Sequence, residues 1–481
     1  MRFPRLIFAN EIPPVSSESE VIADLKLDLI FPTEVSDYLL LKPDAETLLA
    51  RREMFSALLF DAESGARLEK CAELLGEAEE LYKALTAAQS EYTAAYVFPS
   101  LMLKVAEFYD SAEALSSYGG LFERFCGTVS ALKGREGFSD AVNGARGIKD
   151  KLAPCRSLVI KTDGSASTVS ASREGGMAEA LRGCARELGI PLKERPLSAF
   201  VLQKGIVEAL GKVYPDALGE AAAFLNGNRT LITGEIFEYL PEIRFVLGVL
   251  EFTKKATDAG IPYSFPTLSE KRGIDLKNVY DVTLLKKEGT TIIPNDVAFD
   301  EAEPFFYLTG ANGGGKTTYI RAVGGAMLMF LAGMPVFCEG GSASLLSAVF
   351  THFPKDERFE GTGRFLDEKR RVDSILAKQD GNALVLLNET FSTTGEEKAI
   401  EQTDILAKHL YRSGCFGLYI THQHDVTEKE IPFLGVTVDE ADSNRRTYKI
   451  EKRRLPPRSF AKDILEKYGL DKKALRERFG V

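Results

Sequence analysis

Leu68, Cys71, Leu74, Leu75, Ala78, Leu81 and Leu85 recur at spacings of three and four among Glu, Lys and Ala. That spacing lines them up on one stripe of an amphipathic helix. Leu101, Val105 and Phe108, then Leu121, Phe122 and Phe125, predict further helices, with Gly119-Gly120 as punctuation between them. Residues from about 20 to 150 are therefore expected to be mainly helical. Near Leu158-Val159-Ile160 the pattern turns β-branched. Thr162-Asp163-Gly164-Ser165 follows, then Val169, and Asp-Gly between two such runs signals a hairpin. Helical patterning returns from about 176 to 260, as in Phe245, Val249, Leu250 and Phe252. Ile261-Pro262 and Phe265-Pro266 break it, because a residue before proline is pushed away from helix.

The second half alternates strand-like runs with helices. Thr290–Ile293, Phe305–Leu308, Ala383–Leu387 and Phe416–Ile420 are apolar runs that stop at polar residues, and a helix-like stretch spans Thr317 to Leu331. This order predicts an α/β sheet with its working residues at the C-terminal ends of the strands. Pro456-Pro457 precedes a short charged tail, expected to be helical. The pattern divides the chain into a mainly helical region over residues 1–270, an α/β domain over 271–455 and a helical tail over 456–481.

Composition changes this picture little. The 481 residues are 44% hydrophobic and 27% charged, an ordinary globular balance for two or three domains. The net charge of -10 removes any argument for a nucleic-acid partner from overall charge, although a local basic surface is what matters for such a partner. Six scattered cysteines without a C-x-x-C pair read as small buried apolar residues. The apolar run Leu6-Ile7-Phe8 is too short for a signal peptide, and no run approaches a membrane span. A soluble cytoplasmic protein without a membrane partner is expected.

The candidate chemistry begins at Gly310. Gly310-Ala311-Asn312-Gly313-Gly314-Gly315-Lys316-Thr317 fits G-x-x-x-x-G-K-[ST], with an apolar strand before it and an apolar-striped helix after it. Glycines let the loop curl so that successive N–H groups face phosphate oxygens, and the helix N-terminus adds its positive end. Lys316 would then reach the β- and γ-phosphates of ATP, and Thr317 would place its hydroxyl on Mg²⁺. The strand Ala383–Leu387 ends in Asn388-Glu389, where P-loop ATPases hold Mg²⁺ and a carboxylate that activates water. Asn388 and Glu389 join Thr317 as candidate metal residues, with Glu389 as candidate catalytic residue. His422, after the strand Gly417–Ile420 and Thr421, is placed to touch the terminal phosphate or the attacking water.

Together these residues resemble the DNA mismatch repair MutS family. Thr309 through Thr318, Tyr319, Ile320 and Arg321 are similar to that family's loop and helix opening. Ile293-Pro294-Asn295-Asp296, Thr421-His422-Gln423-His424, Ser459-Phe460-Ala461 and Tyr468-Gly469-Leu470 resemble further family segments. Pro43-Asp44, Arg51-Arg52-Glu53 and Phe55 resemble the start of its helical core, so residues 1–270 look like a core and lever region. The resemblance implies a homodimer in which a segment around Thr362, Gly363 and Arg364 completes the partner's ATP site. It also implies that the adenine lies near Ile292 and Ile293, where the family commonly supplies an aromatic ring.

Three departures alter the expectation. Asn388 stands where the family has Asp, which predicts Mg²⁺–ATP binding with slow or altered hydrolysis; the alternative is that Glu389 suffices and turnover is ordinary. Glu389 is followed by Thr390-Phe391-Ser392-Thr393-Thr394 instead of the family's Ile-Gly-Arg-Gly-Thr. Only about 275 residues precede the ATPase half, too few for all the mismatch-reading, connector, lever and clamp parts of the full-length proteins. The nearest analogue of the mismatch wedge, Phe108-Tyr109-Asp110, falls inside a helical pattern and reads as core, so the usual mismatch recognition is expected to be absent.

A DNA-binding ATPase of repair or recombination type is the leading expectation. The densest basic cluster, Arg445-Arg446, Lys449, Lys452-Arg453-Arg454 and Arg458, reads more often as a solvated face than as a phosphate contact. The alternative is a nucleotide-dependent switch with little hydrolysis and no direct DNA binding, favoured by Asn388. A transporter ATPase ranks last, since no Leu-Ser-Gly-Gly-Gln-like signature and no span is present.

Overall fold

A computed structural model describes residues 5–153, 158–162, 167–171, 210–287, 289–310, 313–354, 363–390, 396–421, 430–438 and 446–452. The described helices are α1 (Glu20–Asp24), α2 (Thr33–Leu39), α3 (Ala45–Phe60), α4 (Ser64–Thr86), α5 (Glu91–Glu113), α6 (Gly120–Lys133) and α7 (Phe138–Leu152). After them come α8 (Pro215–Asn228), α9 (Tyr239–Asp258), α10 (Lys316–Leu331), α11 (Gly363–Lys378) and α12 (Glu396–Arg412). The chain forms two compact units, one of residues 1–10 and 56–247 and one of residues 11–55 and 248–481. A single break near residue 270 does not anticipate this grouping, because residues 11–55 belong with the second half of the chain.

The first unit is helical, with α5 packed against α4, α6, α7 and α8. Neighbours on several sides leave α5 only a narrow polar stripe, with Glu107 and Asp110 exposed. Val97, Phe98, Leu101, Met102, Val105, Phe108 and Tyr109 are all buried. Ser90 caps it, its hydroxyl accepting from the Thr93 N–H at 3.2 Å. The Phe125 and Tyr239 rings meet edge to face at 4.7 Å, adding to the area they bury. Phe108 and Tyr109 lie in this core as expected. Glu242, fully buried, accepts from the Leu6 and Ile7 N–H groups and pairs with Arg5 at 3.4 Å, which fastens the N-terminal segment. The expected hairpin is present as β1 (Leu158–Thr162) paired antiparallel with β2 (Ser167–Ala171). Of the helical stretch expected over 176–260, residues 176–209 lie outside the described residues, and α8 and α9 carry the rest.

The second unit holds two sheets. The smaller contains β3 (Thr267–Ser269), β7 (Gly340–Ser344), β4 (Gly273–Val279) and β5 (Asn295–Asp300), side by side in that order. The larger has the order β12-β11-β6-β10-β9-β8: Arg446–Lys452, Phe433–Val438, Phe305–Thr309, Phe416–Ile420, Leu384–Asn388 and Val349–His352. Its five inner and β8-side strands run parallel, and β12 closes the other edge antiparallel. β6, β8, β9 and β10 are buried at every position, as strands covered on both faces must be. The fold is thus a helical region followed by mixed α/β sheets.

One expected strand is absent. Thr290–Ile293 is not in a sheet; pairing starts at Asn295. Thr290 and Thr291 are exposed and Pro294 lacks an N–H, so alternating burial begins only with Asn295. Residues 11–55 pack onto the same unit as α10. A side chain at Gly324 of α10 would stand 2.7 Å from both Leu25 and Leu386, so the helix passes where no Cβ fits without displacing leucine tips. The expected C-terminal helix, residues 456–481, lies outside the described residues.

Candidate nucleotide site

Three strand ends stand in register. Leu308 of β6 pairs with Ile420 of β10, and Ile420 pairs with Asn388 of β9. The next residues continue the ladder: the Thr421 N–H donates to the Leu308 carbonyl at 3.3 Å, and the Glu389 N–H donates to the Ile420 carbonyl at 3.0 Å. Parallel strands therefore deliver Gly310, Thr421 and Glu389 to one edge, the carboxyl edge where open α/β sheets bind ligands.

Beyond β6 the chain turns sharply into α10. Gly310, Gly313 and Gly315 have φ of 138°, 67° and 96°, angles that side-chain-bearing residues rarely adopt. Gly315 is the N-cap of α10, so the helix N-terminus opens directly onto the turn. Lys316 follows. Its side chain is 5% exposed and its ammonium donates to the Gly310 carbonyl at 2.7 Å, folding back across the turn it ends. That fold-back keeps a buried positive charge over the turn, a position from which it can face an anion seated there. Thr317 and Thr318 are half-buried in the first turn of the helix.

Asn388 is 8% exposed, and its side-chain oxygen is buried without a hydrogen-bond partner among the described residues. A buried acceptor left unsatisfied is costly, and it fits a site completed by a donor such as metal-bound water. No cluster of three or more His, Cys, Asp or Glu among the described residues can hold a metal by itself. The oxygen set Thr317, Asn388 and Glu389 suits Mg²⁺, which keeps waters and takes other ligands from phosphate. The residues present fit that ion. Glu389, half-buried, has φ of 51°, a left-handed conformation costing about 1–2 kcal/mol outside glycine.

A residue that sequence reasoning did not assign to the site is Tyr448 of β12. It has φ of 58° and is 46% exposed. A Cβ on Gly315 would meet its ring at 3.3 Å, so the ring lies against the turn. Asn295 sews this edge to the segment before β5: its amide donates to the Tyr448 carbonyl at 3.1 Å and accepts from the Ile450 N–H at 2.8 Å. Lys449 donates to the Pro294 carbonyl at 2.6 Å. Ile292 and Ile293, both half-buried, precede that seam. An aromatic among basic residues near the C-terminus carried no signal that its strand pairs beside the turn.

Ala311, Asn312, Thr362 and His422 lie outside the described residues. Gly363 and Arg364 open α11, and their side chains are likewise not described. In the basic cluster, Lys449 donates to the Pro294 carbonyl and Lys452 pairs with Glu303, while Arg445, Arg453, Arg454 and Arg458 lie outside the described residues. Arg371 pairs with Asp24 at 2.7 Å. No described helix is long and apolar enough to cross a membrane.

Comparison with known proteins supplies a further finding. Residues 306–470 match MutS domain V. The chain is 32% identical over 209 residues to the DNA mismatch repair protein MSH2 of Saccharomyces cerevisiae, covering 42% of this chain and 22% of that protein. It is 30% identical over 185 residues to the DNA mismatch repair protein spellchecker 1 of Drosophila melanogaster, covering 37% of this chain and 20% of that one. It is 29% identical over 175 residues to the DNA mismatch repair protein MutS of Thermotoga maritima, covering 36% and 22%. The chain thus spans about a fifth of the length of these relatives.

Proposed function

We propose that this chain, a member of the MutS family through the domain V of residues 306–470, is a Mg²⁺-dependent ATPase that acts on DNA as a homodimer. The observation that carries the proposal is the joint geometry of one sheet edge: the buried Lys316 folded over a turn with three glycines at positive φ, with Asn388 and Glu389 at the end of the strand two places away. The relatives' names, all DNA mismatch repair proteins, support a role in DNA repair.

In this reading the Lys316 ammonium exchanges the Gly310 carbonyl for phosphate oxygens, and the N–H groups of Gly313 to Lys316 hold the same anion. Asn312 and Thr318 complete the cradle, with Gly314 and Ala311 supplying backbone. Thr317, Asn388 and Glu389 would hold Mg²⁺, which when bound would supply positive charge beside the phosphates. Glu389 accepts a proton from the attacking water, and His422 steadies the terminal phosphate. Tyr448, with Ile292 and Ile293, offers the base a surface to stack on. Thr362, Gly363 and Arg364 would complete the partner's site, and loss of phosphate contacts on hydrolysis would loosen the dimer. Recognition of a mismatch by the usual wedge is not part of the proposal.

The second reading, a switch with little hydrolysis and no direct DNA contact, is favoured by Asn388, which brings an acceptor without a charge. Phosphate release by wild type and Glu389→Gln separates the two. A rate that falls at least about tenfold in the variant supports the ATPase; equal rates support the switch. Retention on duplex, mismatched or branched DNA that weakens steeply with salt supports the DNA role, and no retention on any of them refutes it.

A further inference from the structure

The strained backbone at Glu389 is held by groups that the proposed chemistry does not use. Thr390, the next residue, is 3% exposed. Its carbonyl accepts from the Tyr419 hydroxyl at 3.0 Å, and its own hydroxyl shares a 3.0 Å hydrogen bond with His352 Nδ1. A carbonyl can only accept, so the Tyr419 proton goes to Thr390. The Thr403 hydroxyl, 3.0 Å from the Tyr419 oxygen, is therefore the donor of that second bond. Tyr419, His352 and Thr403 are all buried. Tyr419 stands on β10 and His352 ends β8, the two strands that flank β9. The Glu389 N–H is itself fixed by Ile420 on β10. The peptide carrying the carboxylate is thus gripped from both neighbouring strands.

A left-handed residue other than glycine persists only where its surroundings over-determine it. We infer that the Thr390 clamp, made by Tyr419 and His352 and backed by Thr403, holds Glu389 in the backbone conformation from which it activates water. These are positioning residues. The inference rests on the reading of Glu389 as the group that accepts the proton. It explains why a threonine follows the glutamate here: a side chain without a hydroxyl at residue 390 cannot make the bond to His352.

Isosteric variants test it. Tyr419→Phe and Thr390→Val each remove one grip while keeping the volume. Each is expected to lower kcat for phosphate release about 10- to 100-fold, the scale of a misplaced catalytic group. The affinity for Mg²⁺–ATP should stay within roughly twofold, since no clamp residue is assigned to the phosphates. Thr390→Ser keeps the hydroxyl and should restore most of the rate. In a Glu389→Gln background, Tyr419→Phe should change nothing further, because the misplaced group is already inert. A slow Glu389→Gln together with a wild-type rate for Tyr419→Phe and Thr390→Val would overturn the clamp. So would equal losses from Tyr419→Phe in both backgrounds, or a loss of ATP affinity as large as the loss of rate. A wild-type rate for Glu389→Gln itself would instead remove the reading of the glutamate on which the clamp depends.

Discussion

Asn388→Asp restores the residue found in the resembled family, yet the structure predicts that it harms the protein without ligand. The position is 8% exposed, and the side-chain oxygen has no hydrogen-bond partner among the described residues. An aspartate there would ionise only against a desolvation penalty, so its pKa must rise. The cost has a ceiling, because the group can take a proton instead. At about 1.4 kcal/mol for each of the roughly three pH units between an ordinary aspartate and pH 7, the ceiling is about 4 kcal/mol. Residual solvent contact lowers it, and about 2–4 kcal/mol is the expected loss. The sign follows from linkage. A raised folded-state pKa means that the penalty is absent below about pH 4 and grows as pH rises toward the folded value, so at pH 5 only about 1.5 kcal/mol remains. Magnesium and ATP together should reverse the effect, since the new charge then faces a divalent ion. Urea denaturation at pH 5 and pH 7, with and without Mg²⁺–ATP, measures all four quantities. A variant as stable as wild type at pH 7 without ligand, or one that gains no more than wild type from Mg²⁺–ATP, would refute the reasoning.

Three further outcomes follow from other parts of the unit. Gly341→Ala should cost about 3 kcal/mol or more in denaturant titration, because its φ is 134° and the new Cβ would stand 2.0 Å from the Asp275 carbonyl on the paired strand β4. Tyr448→Ala should weaken ATP binding in equilibrium titration by about 2- to 10-fold, the range of an aromatic stacking contribution, and Tyr448→Phe should not. Burial raises the Glu18 pKa, but hydrogen bonds from Lys378 and Ser374 and the charges of Lys378 and Arg371 outweigh it, leaving the carboxyl below its ordinary value. A depressed carboxylate stabilises the fold above its ordinary pKa of 4.5 and loses that contribution as pH falls through the folded value. Glu18→Gln should therefore cost about 0.5 kcal/mol at pH 7, after screening at this partly exposed pair, and nothing once pH has fallen below the depressed folded-state value.

What could be read from the sequence divides along a physical line. The turn at Gly310–Lys316 is legible because one contiguous segment carries its whole logic: an apolar strand, glycines at strained angles, a lysine and an apolar helix. Asn388 and Glu389 are legible because chain order fixes them at the end of a buried strand. Tyr448 is not, because its place beside Gly315 arises from β12 pairing at the far edge of the sheet, more than a hundred residues along the chain. The attachment of residues 11–55 to the second unit is equally invisible. Leu25 reads simply as apolar, and nothing local says that its partner is the bare surface of Gly324. Thr290–Ile293 misled in the opposite direction: β-branched residues suggested a strand, but the proline after them and two exposed threonines leave pairing to begin at Asn295. The Thr390 clamp depends on the His352 imidazole of β8, the Tyr419 hydroxyl of β10 and the Thr403 hydroxyl of α12 coming together, a meeting that no spacing rule encodes.

The central claim is that the Gly310–Thr317 turn and its buried lysine grip a triphosphate. Equilibrium titration of ATP with Mg²⁺ against wild type and Lys316→Ala tests it most directly. Saturable binding by wild type and a loss of at least about a hundredfold in the variant are expected, the scale of a charge-assisted contact removed from a buried site. Undetectable binding by wild type, or unchanged affinity in Lys316→Ala, would contradict the account.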